Sequence, residues 1–305
     1  FDARWLDLVV TASEDHTAKL WSSNSGECIL TFRGPLDRVV SAAFSPDGTM
    51  VLTASDDGSA KLWLIETGEC IRTFHGHTDE VSSAAFSPDG ACAVTGSRDR
   101  TAKVWSVSTL ECRLTFKGHG AMVNSVAFSP EGLRVLTGAG DNAARLWVLE
   151  SGECLREFMC RSEVVLVALS PGGARAFTAA MDRTATVWCV ESGERLRTFE
   201  GCGMMMSSQQ PFTPDGALVL TASDERVANL WNIDSGDCVR TFDDHSGLVF
   251  SAAISPDGTH ILTGSIDRTA KLWSMESGQC LLTFAGHSDY VCSAAFSPDV
   301  ALPFG

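Results

Sequence analysis

The stretch Gly76–Phe116, GHTDEVSSAAFSPDGACAVTGSRDRTAKVWSVSTLECRLTF, holds four short strand-like runs separated by turn signals. Val81 to Phe86 is apolar and rich in small residues, which suits a strand covered on both faces. Ser87-Pro88-Asp89-Gly90 predicts a turn after it, because Pro sets φ, Asp caps locally and Gly accepts positive φ. Ala91 to Gly96, Thr101 to Trp105 and Glu111 to Phe116 supply three more runs, with Arg98-Asp99-Arg100 turning between the second and third. Elsewhere the hairpin before the last run is plainer, as in Glu66-Thr67-Gly68-Glu69 and Glu276-Ser277-Gly278-Gln279. The unit reads as a four-stranded antiparallel meander.

Working outward, the tryptophan that ends the third run recurs at Trp21, Trp63, Trp105, Trp147, Trp188, Trp231 and Trp273, with spacings of 42, 42, 42, 41, 43 and 42. One period in the low forties with four strands per unit marks a propeller blade rather than a helical solenoid. Only Trp5 lies off this lattice. First strands ending near Phe44, Phe86, Phe128, Leu169, Phe212, Ile254 and Phe296 also count seven, but the ends of the chain are out of phase with the unit. The N-terminus supplies strands two to four and the C-terminus a lone first strand, Val291 to Phe296, so the two should complete one blade together. The expectation is an all-β fold, a single seven-bladed β-propeller of four-stranded antiparallel blades, with residues 1–305 as one domain.

Some positions repeat for a reason other than strand formation. A threonine sits ten residues before each lattice tryptophan (Thr11, Thr53, Thr95, Thr137, Thr178, Thr221, Thr263), and an acid sits six before it (Asp15, Asp57, Asp99, Asp141, Asp182, Glu225, Asp267). His77, His119, His245 and His287 precede four of the first strands, with Pro35, Cys160 and Cys202 in the matching places. Over its whole length the chain resembles the WD-repeat (WD40-type) family. The resemblance implies a hydrogen-bonded tetrad of His, strand-two Thr, turn Asp and Trp inside a blade. By position the complete sets are His77/Thr95/Asp99/Trp105, His119/Thr137/Asp141/Trp147, His245/Thr263/Asp267/Trp273 and, in the closure blade, His287/Thr11/Asp15/Trp21. The residue after each Trp is never the family's Asp.

Thr, His and Asp within reach of one another could also be read as a hydrolytic triad. The structural reading is preferred: a catalytic site occurs once per fold, whereas this trio occurs four times, and buried polar groups normally satisfy one another. Phosphate-loop, dinucleotide and nucleophile-elbow motifs are absent from the sequence. No C-x-x-C or Cys/His pair has zinc spacing. No enzyme activity, cofactor or metal is therefore expected.

A net charge of −15 would repel phosphate backbones, so nucleic acid is a poor partner. No apolar run approaches the roughly 20 residues of a membrane span. The eleven cysteines are odd in number and read as thiols of a reducing compartment, so a soluble, monomeric propeller of the cytoplasm or nucleus is expected. Six of them (Cys28, Cys70, Cys112, Cys154, Cys238, Cys280) share one place in strand four, with Arg195 in the seventh. They read as small buried hydrophobes on separate blades, beyond the roughly 7 Å between Cα atoms that a disulfide spans.

If function is absent from the repeated residues, it belongs where the repeats differ. In WD-repeat proteins the ring face formed by the residue before each first strand and the residue before each turn acid commonly carries the partner. Here these pairs are Tyr290/Glu14, Arg38/Asp56, Glu80/Arg98, Met122/Gly140, Glu163/Met181, Met205/Asp224 and Leu248/Ile266. One arc is charged (Glu14, Arg38, Asp56, Glu80, Arg98) and the other apolar (Met122, Met181, Met205, Leu248, Ile266, Tyr290). A contiguous apolar patch marks an interaction surface, although such side chains could equally plug the mouth of the ring. The expected function is a non-catalytic scaffold that binds a protein or peptide on this face. The alternative is the substrate-recognition or sensor domain of a larger chain, such as a ubiquitin-ligase subunit or a nucleotide-dependent signalling protein. The opening at Phe1 rather than Met agrees with a part of something longer.

Two segments break the period. Met204-Met205-Met206-Ser207-Ser208-Gln209-Gln210-Pro211 is one residue too long for a first strand and ends in a proline where a ladder donor is expected. Phe1-Asp2-Ala3-Arg4-Trp5 stands where Phe-Ser-Pro-Asp-Gly belongs, as a shifted reading frame would produce.

Overall fold

In the computed structural model, which describes residues 8–34, 37–202, 210–222 and 226–298, the quoted unit folds as Val81–Phe86, Cys92–Ser97, Ala102–Ser106 and Cys112–Phe116, paired in that order. The last three strands start one residue later than the sequence pattern places them, because turn side chains claim the residue before. Asp89 Oδ1 accepts the Ala91 N–H at 3.0 Å, Asp99 Oδ1 the Thr101 N–H at 2.9 Å, and Thr109 Oγ1 the Glu111 N–H at 3.4 Å.

Seven such sheets form the ring. Blade 1 joins the chain ends: Val291–Phe296 pairs antiparallel with Leu8–Ser13, followed by Ala18–Ser22 and Cys28–Phe32. Its register sets Val9 against Phe296 and Thr11 against Ala294, with a bulge at Ser13. Blades 2 to 7 follow at residues 39–74, 81–116, 123–159, 164–200, 210–242 and 249–285. In blade 6 the described residues give three strands, Leu218–Ala222, Ala228–Asn232 and Cys238–Phe242, with a single bridge from Phe212 to Val219 in the inner position. Pro211 has no N–H to give, but its carbonyl accepts from Leu220 at 2.8 Å, and the Gln210 carbonyl takes the Ile254 N–H of blade 7 at 2.9 Å. Met204 to Gln209 and Phe1 to Trp5 lie outside the described residues. Among the described residues no helix is long and apolar enough to cross a membrane.

The lattice tryptophans do more than close their own blades. Each packs on the phenylalanine at or next to the end of strand four of the preceding blade: Phe284–Trp21, Phe32–Trp63, Phe74–Trp105, Phe116–Trp147, Phe158–Trp188, Phe199–Trp231 and Phe242–Trp273, with ring centroids 5.2 to 5.8 Å apart. Aromatic pairs at this spacing add packing beyond the area they bury. Seven of them link each blade to the next around the ring. Elsewhere blades approach so closely that no side chain fits: a Cβ on Gly138 would stand 2.6 Å from Val167 and 2.7 Å from Val164 of the next blade.

The strand-four cysteines correct the sequence reading. Cys28, Cys70, Cys112, Cys154 and Cys238 are exposed and Cys280 is half-buried. Strand four is the outermost of each blade and only its terminal phenylalanine is fully covered, so the cysteine position faces outward. All are free thiols.

Candidate interaction face

Four blades build the same polar core. In blade 3, Trp105 Nε1–H donates to Thr95 Oγ1 at 2.8 Å, the Thr95 hydroxyl meets His77 Nε2 at 2.7 Å, and His77 Nδ1 lies 2.8 Å from Asp99 Oδ2. A carboxylate only accepts, so Nδ1 carries the proton and Nε2 accepts from the threonine. Blade 7 repeats this with Trp273, Thr263, His245 and Asp267 at 2.8, 2.7 and 2.8 Å. Blade 1 assembles it from both chain ends, with Trp21 to Thr11 at 2.7 Å, Thr11 to His287 at 2.7 Å and His287 to Asp15 at 2.8 Å. In blade 4, Trp147, Thr137 and His119 keep the spacing, but Asp141 also takes Arg145 at 2.7 Å. Every threonine in these sets is fully buried.

The electrostatics of these cores set a pH dependence. Burial alone would raise the Asp141 carboxyl, but hydrogen bonds from Arg145 and the Gly120 N–H, together with His119, outweigh it and hold the group at about 2. Asp99 is lowered against the same burial by Thr101 and His77. Burial pushes His77 and His119 below their ordinary 6.5, partly offset by their aspartates. A depressed histidine lets the unfolded chain bind the proton first, so stability falls as pH drops below 6.5. Stability from a depressed carboxylate is present above 3.8 and is lost as pH falls through the folded value. Urea midpoints should therefore be level above pH 6.5, decline below it and collapse below pH 3.8; a midpoint unchanged from pH 7 down to 5 would contradict the histidine part.

The residues expected to face a partner sit at the end of the ring where these aspartates lie. Each pair shares a backbone hydrogen bond from the residue before the turn acid to the residue before the first strand. The bonds are Glu14 to Tyr290 (3.0 Å), Asp56 to Arg38 (3.1 Å), Arg98 to Glu80, Gly140 to Met122 and Met181 to Glu163 (2.9 Å each) and Ile266 to Leu248 (3.0 Å). Met205 and Asp224 lie outside the described residues. The charges of the charged arc are paired among themselves: Arg38 reaches Asp56 at 2.6 Å and Glu14 at 3.0 Å, and Arg98 pairs with Glu80 at 2.9 Å. On the other arc Met181 and Tyr290 are 42% and 40% exposed, while Met122, Leu248 and Ile266 are half-buried. Tyr290 meets Phe250 edge-on at 6.4 Å. Among the described residues no cluster of His, Cys, Asp and Glu has the geometry to hold a metal.

A known repeat family, the WD domain or G-beta repeat, matches residues 26–63, 68–106, 110–148, 236–274 and 278–302, more than half of the chain. The chain belongs to the WD-repeat family. Comparison with curated proteins gives no match. WD-repeat rings are generally non-catalytic scaffolds that hold protein partners. The matches skip residues 149–235, which hold blade 5 and most of blade 6 of this WD-repeat ring.

Those are the two blades in which cysteine replaces the histidine, and the fold there is kept by substitutes that the sequence pattern did not disclose. The Cys160 thiol donates to Thr178 Oγ1 at 3.5 Å, and the Arg195 guanidinium lies over the Trp188 ring, 5.1 Å from its centroid. Cys202 is buried, and burial pushes its thiol up to about 11 despite a hydrogen bond with Thr221. In blade 2, where Pro35 stands in the histidine's place, Lys61 turns inward and donates to Asp57 and to Ser59, 2.6 Å each. The Trp-to-Thr bond survives in all three blades, at 2.9, 2.9 and 2.8 Å.

Proposed function

We propose that this WD-repeat ring is a non-catalytic interaction module, and that it holds a protein or peptide partner on the apolar arc formed by Met122, Met181, Leu248, Ile266 and Tyr290. The observation that carries the reading is the contrast between the two arcs. Charges already paired at 2.6 to 3.0 Å gain little by meeting a partner, whereas partly exposed methionine and tyrosine side chains gain from being covered. Methionine adapts to irregular partners and tyrosine is favoured in binding hot spots. Arg38, Glu80 and Arg98 then form the polar rim. The non-catalytic part is supported by the buried threonines: Thr95 is 1% exposed and its oxygen already binds Trp105 and His77, so a substrate cannot reach it.

The test is the pair Leu248→Asp with Ile266→Asp. Both side chains are half-buried, with Ile266 against Gly247, and the change places two carboxylates in the centre of the arc. Proteins recovered by quantitative affinity purification with the wild-type chain should be lost with the double variant, while its thermal midpoint stays within a few degrees of wild type. Recovery of the same proteins by a folded double variant would overturn this surface.

A further inference from the structure

At the opposite end of the ring, the last apolar side chain of six first strands (Phe44, Phe86, Phe128, Leu169, Phe212 and Phe296) and the proline two residues on in all seven blades converge on a cavity of about 550 Å³. In blade 3 these are Phe86, half-buried, and Pro88, exposed. The described residues lining the cavity include no charged side chain. Immediately after the proline, the described residues of five blades place a carboxylate, Asp47, Asp89, Glu131, Asp215 and Asp257, while Asp299 lies outside them. Of these five, only Glu131 has an ion pair among the described residues, with Arg134 at 2.8 Å. The others are turned into their own tight turns: Asp47 accepts the Ser45 hydroxyl at 2.5 Å and the Thr49 N–H at 3.1 Å, and Asp89, Asp215 and Asp257 repeat this.

We propose that this mouth is a second docking surface, for a peptide segment of another protein that carries one bulky apolar side chain between lysines or arginines. The cavity is preformed, because proline rings have no rotamers to lose and the phenylalanines are anchored in sheets, so binding orders little of the protein. Its volume falls in the range of sites that enclose a small ligand or a side chain. The four carboxylates without an ion pair each follow directly on a proline that lines the cavity, which suits them to cations that flank such a side chain. Hydroxyl and backbone N–H donors keep Asp89 and Asp215 below the usual carboxylate range, so the ring stays charged in mildly acidic buffer. An acidic apolar segment would meet repulsion, and a basic segment without the apolar residue would leave the cavity unfilled. This surface is independent of the Leu248 face.

Fluorescence anisotropy with three labelled synthetic peptides tests it: Ser-Lys-Arg-Phe-Lys-Arg-Ser, the same peptide with Gly for Phe, and the same with Glu at all four basic positions. The first should bind at least about ten-fold more tightly than either of the others. In the protein, Asp47→Asn, Asp89→Asn, Asp215→Asn and Asp257→Asn together keep a cap acceptor in each turn and remove the charge; the first peptide should then bind about ten-fold more weakly. Leu248→Asp with Ile266→Asp should leave this binding unchanged. If circular dichroism shows that the fourfold variant does not fold, Pro88→Lys with Pro130→Lys brings cations to two exposed turn positions and should cause the same loss. No binding of the first peptide, equal affinity for all three, or equal affinity of the folded variants and wild type would overturn the proposal, as would loss on the Leu248 and Ile266 change.

Discussion

Trp21→Ala should destabilise the ring by about 4 kcal/mol, read as a lowered urea midpoint with a preserved slope. Trp21 is 1% exposed, packs on Phe284 of blade 7 at 5.8 Å and on the His287 ring at 5.9 Å, and donates to Thr11. Removing it opens a cavity, takes a donor from a buried hydroxyl and breaks the aromatic link between blades 7 and 1. That link is where the ring closes, because blade 1 joins residues 287 to 296 with residues 8 to 32. Trp21→Phe separates the contributions: most of the apolar contact with Leu262 and Phe284 remains, the indole N–H is lost, and the cost should fall to about 2 kcal/mol. A loss below about 1 kcal/mol for the alanine variant would mean that the Phe284–Trp21 contact does not hold the closure.

How much of this was legible beforehand follows from what repetition can carry. The period of the tryptophans, the out-of-phase ends and the Pro-Asp-Gly turns lead to seven blades and a shared closing sheet, because each feature answers a backbone requirement that recurs in every unit. The four His/Thr/Asp/Trp sets were legible for the same reason. The link from each tryptophan to the phenylalanine of the preceding blade was not, although both residues recur, because spacing along a chain does not say which blade a side chain leans on. The replacements in the irregular blades were not legible either. Lys61 and Arg195 occupy positions that hold a lysine or a cysteine elsewhere, and nothing in their spacing says that one turns to Asp57 and the other lies over Trp188. The strand-four cysteines went wrong because residue type outweighed strand position: the outermost strand exposes whatever it carries at that place. The face residues could be named in pairs from their offsets, whereas the internal pairing of Arg38 and Arg98 needed coordinates.

Thr263→Val and Thr178→Val should differ in cost although they change the same atom at equivalent positions. Valine keeps the shape of threonine and removes only the hydroxyl. In blade 7 the Thr263 oxygen takes the Trp273 N–H at 2.8 Å and donates to His245, whose other nitrogen is fixed by Asp267. Its loss leaves two buried groups without partners in a place water cannot enter, at about 1 to 3 kcal/mol each, so a total near 4 kcal/mol is expected. In blade 5 the Thr178 oxygen takes the Trp188 N–H at 2.9 Å and a thiol at 3.5 Å. A thiol is a weak donor that tolerates an apolar neighbour, so only the indole is orphaned and about 2 kcal/mol is expected. Thr263→Ser restores the hydroxyl with one methyl fewer and should recover most of the difference. Equal losses in blades 7 and 5 would show that the histidine adds nothing to the blade core. In that case the retention of His77, His119, His245 and His287 would have to be explained by the turn N–H groups that their aspartates bind, such as Ser246 to Asp267 at 3.0 Å, rather than by the threonine.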